Sequence, residues 1–291
     1  MLLPVFLFLL SFVFIFQAIN EDGTPIYRDI SLKGGLSSTI MVDSDMSEYE
    51  LSDYLFEQTE GYDFDVSRVV EGGQRVGYIV DTDMEEEDLK EILSNLFETE
   101  FEFGENYSSN YISPTLSAAF FQQAVTILIV SFVFMSTVVF IAFRKFLPSI
   151  AVVISAAFDI IVTIGVLNAM RFDLSIAGVG ALLMIIGYSI DTDVLLTNRL
   201  FKEKEGSIED RFKQAFNTGL LMTTTTLIAG IGTMIITNSE VIFEIAVVLV
   251  VGLLVDFIST WYQNSGMLLW WLFSRPQGLE SKREKKKKRA K

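Results

Sequence analysis

The sequence predicts an α-helical polytopic membrane protein with six transmembrane helices and an extracytoplasmic α+β ferredoxin-like domain between helices 1 and 2. Three observations predict this. The chain of 291 residues is 51% hydrophobic, more than a soluble globule of this size hides easily. The apolar residues fall in six long blocks. Between the first and second blocks lies an acidic stretch in which strand-like and helix-like patterns alternate. The implied division is residues 1–19 as the first helix, 20–119 as the outer domain, 120–273 as helices 2 to 6 and 274–291 as a basic tail.

The six blocks are residues 2–19, 120–143, 148–170, 174–198, 219–237 and 241–273. A helix rises 1.5 Å per residue, so about 20 apolar residues cross the hydrocarbon layer. The last block is long enough to run past the membrane, and Trp270-Trp271 near its end suits an interfacial anchor. The first block has no basic flank and no small-residue cleavage site, which fits an uncleaved anchor better than a signal peptide.

Basic residues orient the spans. Arg144 and Lys145 lie in one short loop. Arg199, Lys202, Lys204, Arg211 and Lys213 lie in another on the same side. The tail after Phe273 carries nine more, so 16 of the 22 Lys and Arg share one side. The positive-inside rule makes that side, and both termini, cytoplasmic. The tail reads as a topology determinant touching lipid headgroups, or as a surface for acidic RNA.

Residues 20–119 hold 24 of the 37 acidic residues. Such a face is a solvated surface or an adaptation to a salty exterior, and it repels nucleic acid, so DNA is not an expected partner. Its elements read as strand 37–43, helix 47–58 with apolar Tyr49, Leu51, Leu55 and Phe56, strand 64–70, a Gly72-Gly73 turn and strand 75–80. A helix capped by Thr82-Asp83 and acid-rich at Glu85–Asp88 follows, then a last strand at 100–103. The order βαββαβ is that of a ferredoxin-like domain.

Cysteine and histidine are both absent, which excludes disulfides, thiol chemistry and histidine triads. No phosphate-binding glycine loop is present, so no cofactor is expected and direct ATP use is disfavoured. Chemistry within the membrane falls to carboxylates. The fourth span contains Gly187-Tyr188-Ser189-Ile190-Asp191-Thr192-Asp193. A charged side chain at mid-membrane costs at least ~2.5–3.5 kcal/mol and so faces a bundle interior, a cavity or a partner. On a helix, Gly187, Asp191, Leu195 and Asn198 share one face. Ser189, Asp193 and Thr197 share another, about 200° round.

The two aspartates therefore need separate explanations. The expectation is that Asp191 is the candidate relay carboxylate and that Asp193 is a hydrated or packing residue nearer the cytoplasm. Asp159, Asp256 and the threonine run around Thr224 are the possible neighbours from other spans. A purely structural role for Asp191 stays open, as does an aspartyl protease pairing Asp191 with Asp159 or Asp256. The latter lacks its usual Gly-x-Gly-Asp companion.

The segment GYSIDTDVLLTNR, with Lys33-Gly34-Gly35 and Ile112-Ser113-Pro114-Thr115-Leu116, resembles the SecF members of the SecD/SecF protein-export family. The resemblance is to the archaeal form, in which GYS, a hydrophobic residue and DTD precede Leu-Leu-Thr and a basic residue. It covers nearly the whole chain. It implies a non-enzymatic export subunit of RND type with a SecD partner, acting on exported polypeptide beside the SecY channel, with an ion gradient as the implied energy supply. The bacterial form carries Asn-Asp-Thr where this chain has Asp191-Thr192-Asp193, and an arginine where this chain reads Asn217-Thr218-Gly219. One half of a small-molecule RND exporter is the competing reading.

Overall fold

The computed structural model describes residues 2–59, 61–62, 64–71, 74–202 and 206–274. The expected Gly72-Gly73 turn, Lys204 and all but the first residue of the basic tail lie outside them. The chain runs α1 (Leu2–Asp22), α2 (Ile30–Lys33), β1 (Gly35–Met41), α3 (Glu48–Gln58), β2 (Phe64–Glu71), β3 (Gln74–Thr82), α4 (Glu86–Phe97) and β4 (Tyr107–Ile112). It continues through α5 (Pro114–Phe143), α6 (Phe146–Ala169), α7 (Ile176–Phe201), α8 (Ile208–Ile236) and α9 (Glu240–Ile258). A π-helical turn (Ser259–Asn264) and α10 (Ser265–Ser274) complete it. Among the described residues, six helical stretches are long and apolar enough to span a membrane: α1, α5, α6, α7, α8 and the continuous stretch Glu240–Ser274.

The four strands form one antiparallel sheet in the order β2-β3-β1-β4, the ferredoxin-like arrangement. Its core is built from alternate strand positions Leu36, Ile40, Tyr78 and Val80 against Leu51, Leu55, Leu89 and Leu93 of the two helices, all fully buried. Each buried leucine contributes about 1.5–3 kcal/mol. Ser47 starts α3 through a reciprocal capping box with Glu50.

Four expectations for this domain are corrected. The last strand lies at Tyr107–Ile112 instead of 100–103, where Phe101 plugs the core from a loop. Its sequence, YSSNYI, is polar because this edge strand covers little of the core. Tyr49 and Phe56 are exposed, since only Leu51 and Leu55, one turn apart, reach the sheet. Helix α4 is capped at Glu85, and the Thr82 hydroxyl accepts from the Met84 amide one turn earlier. The second span begins at Pro114, where Ser113 caps it and proline supplies a preset first turn, so helix starts before residue 120, within the segment that joins the first two spans.

The domain is fixed to the bundle at two places. The backbone of Tyr27 and Asp29 exchanges hydrogen bonds with Leu174 between α6 and α7, and Asn168 donates to the Pro25 carbonyl at 2.9 Å. At the second, Gly34 and Gly35 have φ of 91° and 143°, angles that L side chains avoid. A Cβ on Gly34 would strike Pro114, and one on Gly35 the Thr82 carbonyl. Two of the motifs carrying the resemblance thus meet in space.

In the bundle, α6 and α7 are the most enclosed spans, and α1, α5 and α8 leave most of their surface open. Helix α1 lies on α6 where Gly165 lets Ser11 approach. Gly252 of α9 does the same for Ile185 of α7, and Gly219 of α8 for Trp261. Small residues permit such approach in helices that lipid does not drive together.

Candidate functional site

A polar core lies at the meeting of α6, α7 and the last span. Asp159, Asp193 and Asp256 come from these three elements, and each is at most 1% exposed. Ser189 donates to Asp159 Oδ2 at 2.5 Å, and Ser259 donates to Asp159 Oδ1. Ser155 donates to Ser259 at 3.2 Å. Thr192 lies 3.2 Å from Asp256 Oδ2 but also 2.9 Å from the Ser189 carbonyl. Thr260 lies 2.9 Å from Asp193 Oδ1 and 3.3 Å from Asp256 Oδ1. Asn264 donates to Asp193 Oδ1 at 2.6 Å.

The arrangement is short of donors. Thr192 has one proton for three acceptor atoms, and Thr260 has one for two. Asp193 Oδ2, Thr197 Oγ1 and Asn264 Oδ1 are buried with no hydrogen-bond partner among the described residues. No described ion pair reaches the core. Three like charges in a sealed volume require protons or a cation to neutralise them.

The structure reverses the expected roles of the motif aspartates in burial. Asp193 is fully buried and joined to the last span, whereas Asp191 is exposed on the opposite face. The helical spacing gave the angle between them correctly. It carried no information on how the helix is turned about its own axis. Asp159 and Asp256 belong to the core as neighbours of Asp193 rather than of Asp191. Thr224 is exposed. Thr223 is the buried member of its run, and Thr226 instead pairs with the Tyr188 hydroxyl at 3.0 Å.

Gly180, Met184, Gly187 and Asp191 form an open stripe along α7. A Cβ at either glycine would meet no atom within 4 Å.

Sequence reasoning missed Ser155, Ser259, Thr260 and Asn264. The last three lie on the π turn, whose extra residue brings them to the core together, and such turns recur at functional sites. Their signal was the polar run STWYQN inside an apolar block. Glu244 was also missed: it accepts from the Ser175 amide at 2.8 Å and the Ser175 hydroxyl at 2.5 Å, clamping the start of α7 to α9.

A second polar region is a cleft of about 640 Å³ beneath the sheet, lined by residues including Asp29, Asp65, Asp81, Asp173, Tyr49 and Phe56. Burial is the main cause that raises the Asp65 carboxyl above its usual range. It pushes Asp81 and Asp173 each up to about 7, with neighbouring carboxylates adding to the effect.

The family model "Protein export membrane protein SecD/SecF, C-terminal" matches residues 92–274. The chain belongs to the SecD/SecF family. It is 34% identical to the SecF protein-export membrane protein of Methanolacinia petrolearia over 93% of this chain and 92% of the relative. It is 33% identical to that of Methanocaldococcus jannaschii over 93% and 94%. With SecF of Haloferax volcanii the identity is 40% over 50% and 52%. Archaeal-type SecF is thus the form it matches.

A solved SecDF described as a translocon-associated membrane protein, from Thermus thermophilus, superposes with a TM-score of 0.71 at 19% identity, covering 92% of this chain and 37% of that one. SecDF in its super-membrane-facing form gives 0.62 at 18%, covering 96% and 39%. The chain therefore spans less than two-fifths of the SecDF chains whose fold it shares.

Proposed function

We propose that this multi-pass membrane protein is an accessory subunit of the Sec protein-export machinery, acting with SecD beside the SecY channel on exported polypeptide. The observation that carries the reading is the open α7 stripe ending in Asp191. Lipid against that carboxylate would cost at least ~2.5–3.5 kcal/mol, while small residues beside it invite a closely packed helix. A SecD span covering the stripe answers both. Both termini are cytoplasmic, the sheet domain is extracytoplasmic, and the basic tail contacts lipid headgroups, in line with the distribution of Lys and Arg.

The Asp159–Asp193–Asp256 core is the part of the subunit that responds to an ion gradient. It joins three spans by hydrogen bonds, so a change in its charge alters how they pack. The fixed contacts at Leu174 and Pro114 carry that change to the outer domain. Asp191 belongs to the partner interface.

Capture of the full chain from native membranes tests this. SecD and the SecY complex co-purify with the wild type, and Asp191→Lys loses SecD while remaining inserted. A stable complex lacking both proteins sinks the proposal and favours the small-molecule exporter half.

A further inference from the structure

We propose that the turn joining α5 to α6, together with the groove on α5 beside it, binds one anionic phospholipid. The inference needs only that the chain spans a membrane, and it stands apart from the export reading.

The turn consists of Arg144 and Lys145. Both are exposed, as is Lys202 at the end of α7. Two reciprocal contacts bring these segments together. The Lys145 ammonium lies 5.5 Å from the centre of the Phe201 ring, and the Lys202 ammonium 5.4 Å from the centre of the Phe143 ring. Phe143 directly precedes Arg144, and Phe201 directly precedes Lys202. Three cations are thus gathered at one end of the bundle. None of them joins an ion pair among the described residues. A cation–π contact restrains a lysine but leaves its charge uncompensated. Helix α6 begins at the same turn without a side-chain cap, so its first amides and its dipole add to the pull on an anion.

The second part of the site is apolar. A groove of about 500 Å³ runs along α5, lined by Phe132, Val133, Ser136, Thr137, Phe140 and Ile141. Their three- and four-residue spacing makes one stripe, and Arg144 is the next position in it. The Phe140 ring lies 6.1 Å from that of Phe146, the first residue of α6, so the groove opens onto the turn. Its two hydroxyls are spent within the helix: Ser136 donates to the Phe132 carbonyl and Thr137 to the Val133 carbonyl, each at 2.8 Å. The wall therefore suits hydrocarbon. From Phe132 to Ile141 the groove covers about 14 Å at 1.5 Å rise per residue. That is close to half of the ~30 Å hydrocarbon core, the depth of one leaflet. A partner helix would use the whole span, whereas a lipid chain uses half. A phosphate at the head of that chain meets Arg144 and Lys145. A zwitterionic headgroup would bring a further cation to the three already there.

The test titrates the purified full-length chain in detergent with dioleoyl phosphatidylglycerol or dioleoyl phosphatidylcholine, and counts bound lipids by native mass spectrometry. One phosphatidylglycerol stays bound at concentrations where phosphatidylcholine does not, and it raises the thermal midpoint. The double variant Arg144→Gln, Lys145→Gln binds it about 30-fold more weakly. Thr137→Trp, which fills the groove and leaves every charge in place, also loses the lipid. Lys285→Gln with Lys286→Gln, an equal loss of charge in the tail, retains it. The midpoint without lipid checks that each variant folds.

Equal retention of the two lipids overturns the proposal. So does an equal weakening by the tail variant, which would mean diffuse attraction. Glycerol phosphate that raises the midpoint as far as the lipid does refutes the role of the groove and overturns it too. In native membranes Val133→Cys, in a chain without native cysteine, stays free of protein cross-links. A cross-link to another chain overturns the proposal by placing a partner helix in the groove.

Discussion

Asp81 sits in the middle of the sheet with a carboxylate directly across the strand pair, at Asp65. Its other cross-strand neighbour is Ser37. Asp29 and Glu240 add further negative charge acting on Asp81, Asp173 lines the same cleft, and Lys33 there is paired with Asp83. Asp81 Oδ1 is buried without a hydrogen-bond partner among the described residues. Replacing Asp81 by asparagine keeps the shape and removes the charge. A carboxyl moved from 3.8 to about 7 corresponds to ~4 kcal/mol at about 1.4 kcal/mol per pH unit. Water in the cleft screens this upper bound to about 2 kcal/mol.

The sign follows from proton linkage. Between the two values the folded state holds more protons than the unfolded state, so the contribution of Asp81 falls as pH rises from about 4 through about 7. Asp81→Asn therefore stabilises the sheet at about pH 8 and changes little at about pH 4. Hydrogen exchange of the β3 amides in the full-length protein, corrected for intrinsic rates, reports this local stability. An equal effect at both pH values, or a gain below about 0.5 kcal/mol at the higher one, refutes the assigned electrostatics.

Two further predictions concern the bundle. Gly165→Leu forces Ser11 away and costs about 1–3 kcal/mol by overpacking. It reads out as a lowered thermal midpoint and lost cross-linking between cysteines introduced in α1 and α6, in a chain that has no native cysteine; unchanged cross-linking contradicts the contact. Ser259→Ala leaves a buried Asp159 oxygen without its donor, at about 1–3 kcal/mol. A cycle with Asp159→Ala, which removes the acceptor, gives at least ~0.5 kcal/mol of coupling in unfolding measurements, and strict additivity would show that the hydrogen bond contributes nothing.

Much of this architecture was legible in the sequence because burial writes a periodic signal. Spans of apolar residues and the alternation around Leu36, Ile40, Tyr78 and Val80 marked the spans and the inner strands. Strand β4 left no such signal, since its polar residues serve hydrogen bonding at a sheet edge. Phe101 and Phe103 mimicked a strand from a loop. At the candidate site, spacing separated Asp191 from Asp193, but a helix whose every face is apolar hides which side turns inward. The gathering of Ser259, Thr260 and Asn264 depends on a backbone ladder one residue out of step, which residue identities do not announce. Glu244 and Ser175 meet only through tertiary packing.

That misfit ladder has a geometric consequence. The turn from Ser259 to Asn264 is a dislocation: it stores one surplus residue without interrupting the helix. That surplus residue lets neighbouring hydroxyls on one uninterrupted helix face two different carboxylates, Ser259 towards Asp159 and Thr260 towards Asp193.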